Sequence, residues 1–138
     1  MQSSHSTAPS STRLPIQDLT VEGKPLYVRV AEEAALRWNQ HGNVLLVVGA
    51  TGPAELREIR TRVGDVPLLI PGVGEQGASL VDAVENGQDS AGAGILLSSS
   101  RAVLYASSSP DFAAATRQKA LALRDRINGA RRVRRGGS

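Results

Sequence analysis

An α/β fold with three parallel strands and about four helices is what this sequence predicts, on three observations. Short apolar runs of strand length recur at Val44–Val48, Val66–Ile70 and about Ala93–Leu97. They are unbroken rather than alternating, the pattern of parallel strands covered on both faces. Helix-compatible stretches separate them, as right-handed crossovers between parallel strands require. Two loops rich in Gly or Ser, Pro71-Gly72-Val73-Gly74-Glu75-Gln76-Gly77 and Ser98-Ser99-Ser100-Arg101, each follow a strand directly.

Taken in order, residues 1–16 are rich in Ser, Thr and Pro, cannot bury much apolar surface, and read as a disordered or loop-like segment. They carry neither the basic region nor the apolar core of a secretory signal. Pro25 then opens a helix whose stripe Leu26, Val30, Ala34 and Trp38 falls at i, i+4, i+8 and i+12, and Gly42 stops it. Val44–Val48 is the first strand. Pro53–Val63 reads as a helix with Pro in its first turn and Leu56, Ile59 and Val63 on one face. Asp65 and Pro67 lead into the second strand.

Ala78–Glu85 is a short helix with Leu80, Val81 and Val84 inward, ended by Gly87, and the third strand follows. Ser109 or Asp111 caps a last helix, with Pro110 at its start and Phe112, Ala115, Ala120, Leu123 and Ile127 as its apolar positions. Asn128-Gly129 ends it. Residues 17–130 form the folded region and 131–138 a basic disordered tail. Three strands cannot close a barrel, and both sheet edges are left open, so a segment before residue 1 is expected.

The 138 residues suffice for one domain with a real core. Aromatic residues are 3% of the chain, so the core must be Val, Leu, Ile and Ala. Cys is absent, which excludes disulfide and thiolate chemistry. No apolar run is long enough to span a membrane, and a cytoplasmic location is expected. The net charge of +3 comes from Arg131, Arg132, Arg134 and Arg135 in the tail. No aromatics interleave these arginines to stack on bases, so nucleic acid is not an expected partner.

The chemistry lies in the two loops. Glycines leave backbone N–H groups uncovered, and Arg101 is a permanent cation with a planar fork of donors. That combination suits a phosphate group. The loops become neighbours if the strands before them are adjacent and parallel, the plan of the phosphate site on the last two loops of a (β/α)₈ barrel. Gly72-x-Gly74-x-x-Gly77 formally matches a dinucleotide fingerprint, but residues 95–98, where the ribose-binding acid should stand, hold only Ile, Leu and Ser. The Ser98–Ser100 run has no histidine placed to serve it: His5 is in the N-terminal segment and His41 is at a helix end. Glu32-Glu33 and Glu55/Glu58 read as solvated helix faces. No spacing suggests a metal site.

An ordered series of segments resembles orotidine 5′-phosphate decarboxylase in its longer bacterial form. The matching residues are Gly23-Lys24-Pro25-Leu26-Tyr27, Trp38-Asn39, Gly42-Asn43-Val44 through Val48-Gly49-Ala50-Thr51, Leu69 through Gly77, and Ser98 through Ser107, within about Gln17 to Ala130. The resemblance implies the C-terminal half of a (β/α)₈ TIM barrel: its fifth helix and its last three strand–helix units. It implies decarboxylation of orotidine 5′-monophosphate to UMP in pyrimidine biosynthesis, without metal or organic cofactor, in an enzyme that is a homo-oligomer when complete.

On the phosphate side, the resemblance implies that Gln76 reaches the phosphate from a lid loop. Arg101 clamps it, the Ser100 N–H donates beside it, and Pro71 and Gly72 lie toward the pyrimidine and ribose. The family's catalytic Asp-x-Lys has no counterpart: the only lysines, Lys24 and Lys119, do not follow an Asp by two positions. No catalytic residue is therefore assigned. The expectation is a phosphate-binding half that depends on an N-terminal barrel half for chemistry, with a non-catalytic phosphate-binding or structural domain as the alternative.

Overall fold

In the computed structural model, residues 19–73 and 79–135 are described. The elements run β1 (Thr20–Val21), β2 (Lys24–Pro25), α1 (Leu26–Glu33), a π-helical continuation Ala34–Trp38, β3 (Leu46–Val47), α2 (Pro53–Val63), β4 (Leu68–Pro71), α3 (Leu80–Gly87), β5 (Ile95–Ser98), α4 (Ser100–Leu104) and α5 (Phe112–Arg135). β1 and β2 form a short antiparallel hairpin, while β3, β4 and β5 form one parallel sheet in that order. Sequential order in a parallel sheet with helical crossovers is the repeating unit of a (β/α)₈ barrel.

The helices cover one face. Leu46, Leu68 and Ile95 stand in register, and behind them Ile70 and Leu97. Leu68, Ile70, Leu56 and Val84 are fully buried, and Leu123 and Ile127 of α5 pack against the same cluster. Helix packing follows chain order, α2 against α1 and α3, and α3 against α5. At Gly87 an added Cβ would meet Ile70 Cδ1 at 2.6 Å, so a larger residue there would force the buried Ile70 side chain to shift. Pro53 at the first turn of α2 needs no N–H partner. Ser79 caps α3 by accepting from the Asp82 amide.

The other face departs from the expectation that helices cover both sides. Val47, Leu69 and Leu96 are in register across the three strands. Val47 is 67% exposed and Leu96 54%. The continuous apolar runs were those of strands with two apolar faces, but among the described residues only one face meets helices. An open inner face is what part of a barrel leaves uncovered.

Three helix expectations are corrected. In α1 the buried positions are Val28, Ala31 and Ala34, while Val30 and Trp38 are exposed. Residues Ala34–Trp38 are π-helical, and the fourfold spacing fails already at Val30, because a 3.6-residue turn carries each i+4 position about 40° further round the helix. Val81 is exposed, and Ala83 takes the inward place in α3. α5 continues through Gly129 to Arg135, into the stretch read as a disordered tail. Beyond Gly129, Ala130 is buried and Arg131 Nε donates to the Gly92 carbonyl, so packing and a tether hold the last turns. Among the described residues no helix is long and apolar enough to cross a membrane.

Candidate functional site

The loops after β4 and β5 come together at the C-terminal end of the sheet. β4 and β5 pair along Leu68–Pro71 and Ile95–Ser98, ending in register at Pro71 and Ser98. One residue on, the Gly72 N–H donates to the Ser98 carbonyl at 3.1 Å. The Ser99 hydroxyl donates to the Val73 carbonyl at 3.2 Å. Gly72 has φ +73°, a left-handed conformation that glycine adopts without a Cβ penalty. Val73 is buried, so the chain just after β4 is anchored in the core.

Pro71 and Gly72 are exposed at this open end, and Ser100 is exposed across from them as the first residue of α4. The Arg101 backbone belongs to the same short helix, and its side chain lies outside what the structure describes. Gln76 falls at 74–78, outside the described residues. Of the five predicted site residues, the structure thus brings the backbones of Pro71, Gly72, Ser100 and Arg101 to one end of two paired strands.

A separate cleft lies away from these loops. A space of about 600 Å³ is lined by Pro25, Tyr27, Val47, Thr51, Gly52 and Glu55, along β3 and the start of α2. It borders the β3 edge, which pairs with β4 on one side only. Tyr27, one of the lining residues, donates its hydroxyl to Glu58 at 3.2 Å. Partial burial foremost, then the Glu58 and Glu55 carboxylates, hold the Tyr27 pKa above its ordinary value. None of the predicted site residues lines this cleft.

The two lysines are remote from the loops in role. Lys24, on β2, donates to both carboxylate oxygens of Glu32 at 3.0 Å. Lys119 is on the exposed side of α5. Two residues that matter to the loops and their support were not singled out from sequence. Ser99 was seen only as part of a serine run, with nothing to mark its cross-loop bond. Arg60 is buried, and here a signal existed: it sits beside Ile59 within the Leu56, Ile59, Val63 stripe, where a solvated arginine would not fall.

No family model matches the chain. It is 54% identical over 116 residues to orotidine 5′-phosphate decarboxylase of Cellvibrio japonicus, and 52% identical over 113 residues to that of a Janthinobacterium species. These matches cover 84% and 82% of this chain but 42% of either relative, so the chain spans less than half the length of the curated proteins it matches. The structure is similar to that of Leishmania donovani OMP decarboxylase, with TM-score 0.68 and 36% identity over 84% of this chain and 42% of that one. It is similar to Leishmania donovani UMP synthase as well, with TM-score 0.69 and 40% identity over 84% of this chain and 24% of that one. The resemblance read from the sequence is borne out. The three-stranded parallel sheet with its helices is consistent with half of such a barrel.

Proposed function

From this kinship with orotidine 5′-phosphate decarboxylases, we propose that the chain supplies the phosphate-binding loops of such an enzyme. The observation that carries the reading is the pairing of the two loops through Gly72 and Ser98 at the C-terminal end of parallel strands. Active sites of α/β barrels occupy that end. In the proposed site the Arg101 guanidinium clamps the phosphate of orotidine 5′-monophosphate or UMP, and the Ser100 N–H donates beside it. Gln76 closes over it from the loop that begins at Pro71. Pro71 and Gly72 border the ribose and pyrimidine.

Phosphate held this way is remote from the carbon that loses CO₂. Its binding energy serves to orient the base and to hold it against the groups that stabilise the transition state. Those groups, an Asp-x-Lys centre, are not in this sequence. The complete enzyme in this reading joins this half to a barrel half bearing that centre, which covers Val47 and Leu96, and it assembles as a homo-oligomer. A second reading, phosphate binding without catalysis, draws on the same lack of Asp-x-Lys.

Calorimetry with UMP and an assay of orotidine 5′-monophosphate turnover test the proposal. The 138-residue chain is expected to bind UMP in competition with inorganic phosphate and to form no UMP by itself. Joining it to a barrel half carrying Asp-x-Lys is expected to restore turnover. UMP bound without any turnover in the joined protein favours the second reading; no UMP binding in either form overturns both.

A further inference from the structure

Of the Ser98–Ser100 run, the phosphate reading uses only the Ser100 N–H. Ser99 stands between β5 and α4, half-buried, and its hydroxyl reaches the other loop. The two cross-loop bonds are reciprocal. Gly72 of the first loop donates to Ser98 of the second at 3.1 Å, and Ser99 of the second donates to Val73 of the first at 3.2 Å. Strand pairing ends in register at Pro71 and Ser98. The Ser99 side chain therefore adds a cross-link just past the point where backbone pairing stops. Its acceptor is well fixed, because Val73 is 1% exposed and its side chain is packed into the core.

We propose that Ser99 is a positioning residue of the phosphate site: its hydroxyl sets the spacing between the loop of Gly72 and the loop of Arg101. The inference rests on the function proposed above. Ser99 makes no contact with phosphate in this role. An anion shared between two loops is sensitive to their separation, because charge-assisted hydrogen bonds are confined to about 2.7–2.9 Å. A hydroxyl that pins one loop to a core-anchored carbonyl of the other holds that separation before ligand arrives. Binding then requires less ordering of the loops.

The test is an NMR titration of the 138-residue chain with inorganic phosphate and with UMP, following the amides of Gly72 and Ser100. The variants are Ser99→Val and Ser99→Thr, which share a shape and differ in the hydroxyl. Loss of one neutral hydrogen bond is expected to weaken both ligands about fivefold in Ser99→Val. Ser99→Thr is expected to stay within about twofold of the parent, as the hydroxyl is retained. Both variants should melt alike. Equal weakening by Val and Thr would show that packing, not the hydroxyl, matters and would overturn the inference. Undiminished binding in Ser99→Val would overturn it while leaving the phosphate site intact. Absence of binding in the parent chain would overturn the inference together with the proposed function.

Discussion

The Arg60 guanidinium donates from Nε to the Gly87 carbonyl at 2.7 Å, joining the C-terminal ends of α2 and α3. Its other nitrogens donate to the carbonyls of Gly64 at 2.5 Å, Val66 at 2.7 Å and Gly94 at 3.2 Å. Val66 leads into β4 and Gly94 into β5. One buried cation thus gathers the backbone at the start of two strands, opposite the loops of the proposed site. Carbonyls at helix ends lack intrahelical partners and need such donors. The arrangement places this clamp at the end of the sheet opposite the loops of the proposed site.

Replacing Arg60 by Met keeps much of the volume and removes every donor. Hydrogen bonds to a charged group contribute about 1.5–3 kcal/mol, and buried carbonyls left unpaired add a further cost. Arg60→Met is expected to destabilise the fold by roughly 3 kcal/mol or more. Arg60→Lys should rescue little, since an ammonium cannot spread its donors in a planar fork. Urea denaturation checks both; a loss below about 1 kcal/mol would remove Arg60 as the clamp of this end.

Legibility from sequence followed how local each feature is. The Leu56, Ile59, Val63 stripe and the Pro53 start of α2 depend on spacing within one helix, and they read directly. So did the adjacency of the two loops, because parallel order follows from strand–helix alternation. What failed depends on partners. A fourfold spacing drifts round a 3.6-residue helix, so Val30 and Trp38 fall on the exposed side while Val28, Ala31 and Ala34 meet the core. Gly129 was read as a stop, although Ala130 and Arg131 find tertiary contacts beyond it. The uncovered face of Val47 and Leu96 has no local signature, because a strand records that a face is apolar and not what covers it.

Glu32 predicts an acid limb to stability. The hydrogen bond from Lys24 is the main cause of its lowered pKa, aided by attraction to Lys24, Arg62 and Arg29 and opposed by partial burial. The folded carboxyl therefore titrates below its ordinary 4.5. A lowered folded value means the stabilisation is fully present above about pH 4.5 and is lost as pH falls through the folded pKa. Thermal melts from pH 7 to 3 should show a falling Tm below that point, shallower in Glu32→Gln than in the parent. Superimposable acid limbs would mean that Asp65 or Asp111, whose pKa values are lowered by bonds from serines, dominate instead.

The open sheet face predicts self-association. Val47 and Leu96 flank Leu69 on one apolar surface that no helix among the described residues covers. Apolar area exposed in this way favours burial against another surface. Sedimentation should show association that grows with protein concentration, and Val47→Lys with Leu96→Glu should reduce it. At dilutions where both are monomeric, the double variant should retain the parent's melting temperature, because both side chains face solvent in the monomer. A parent chain that stays monomeric at all concentrations would refute this.

Arg101 and Gln76 give the sharpest comparison within the proposed site. Arg101 carries a permanent charge and can bind two phosphate oxygens at once, an interaction worth roughly 1.5–3 kcal/mol. Gln76 is neutral, and a hydrogen bond from a neutral amide contributes nearer about 1 kcal/mol. UMP affinity is therefore expected to fall about tenfold or more in Arg101→Ala and about fivefold in Gln76→Ala. Salt sharpens the distinction. Screening weakens attraction to the guanidinium much more than a bond to a neutral amide, so raising the salt should narrow the gap between parent and Arg101→Ala while leaving the effect of Gln76→Ala nearly constant. Equal losses in both variants, or a loss in Arg101→Ala that salt leaves unchanged, would show that the loop after β5 does not hold the phosphate by charge.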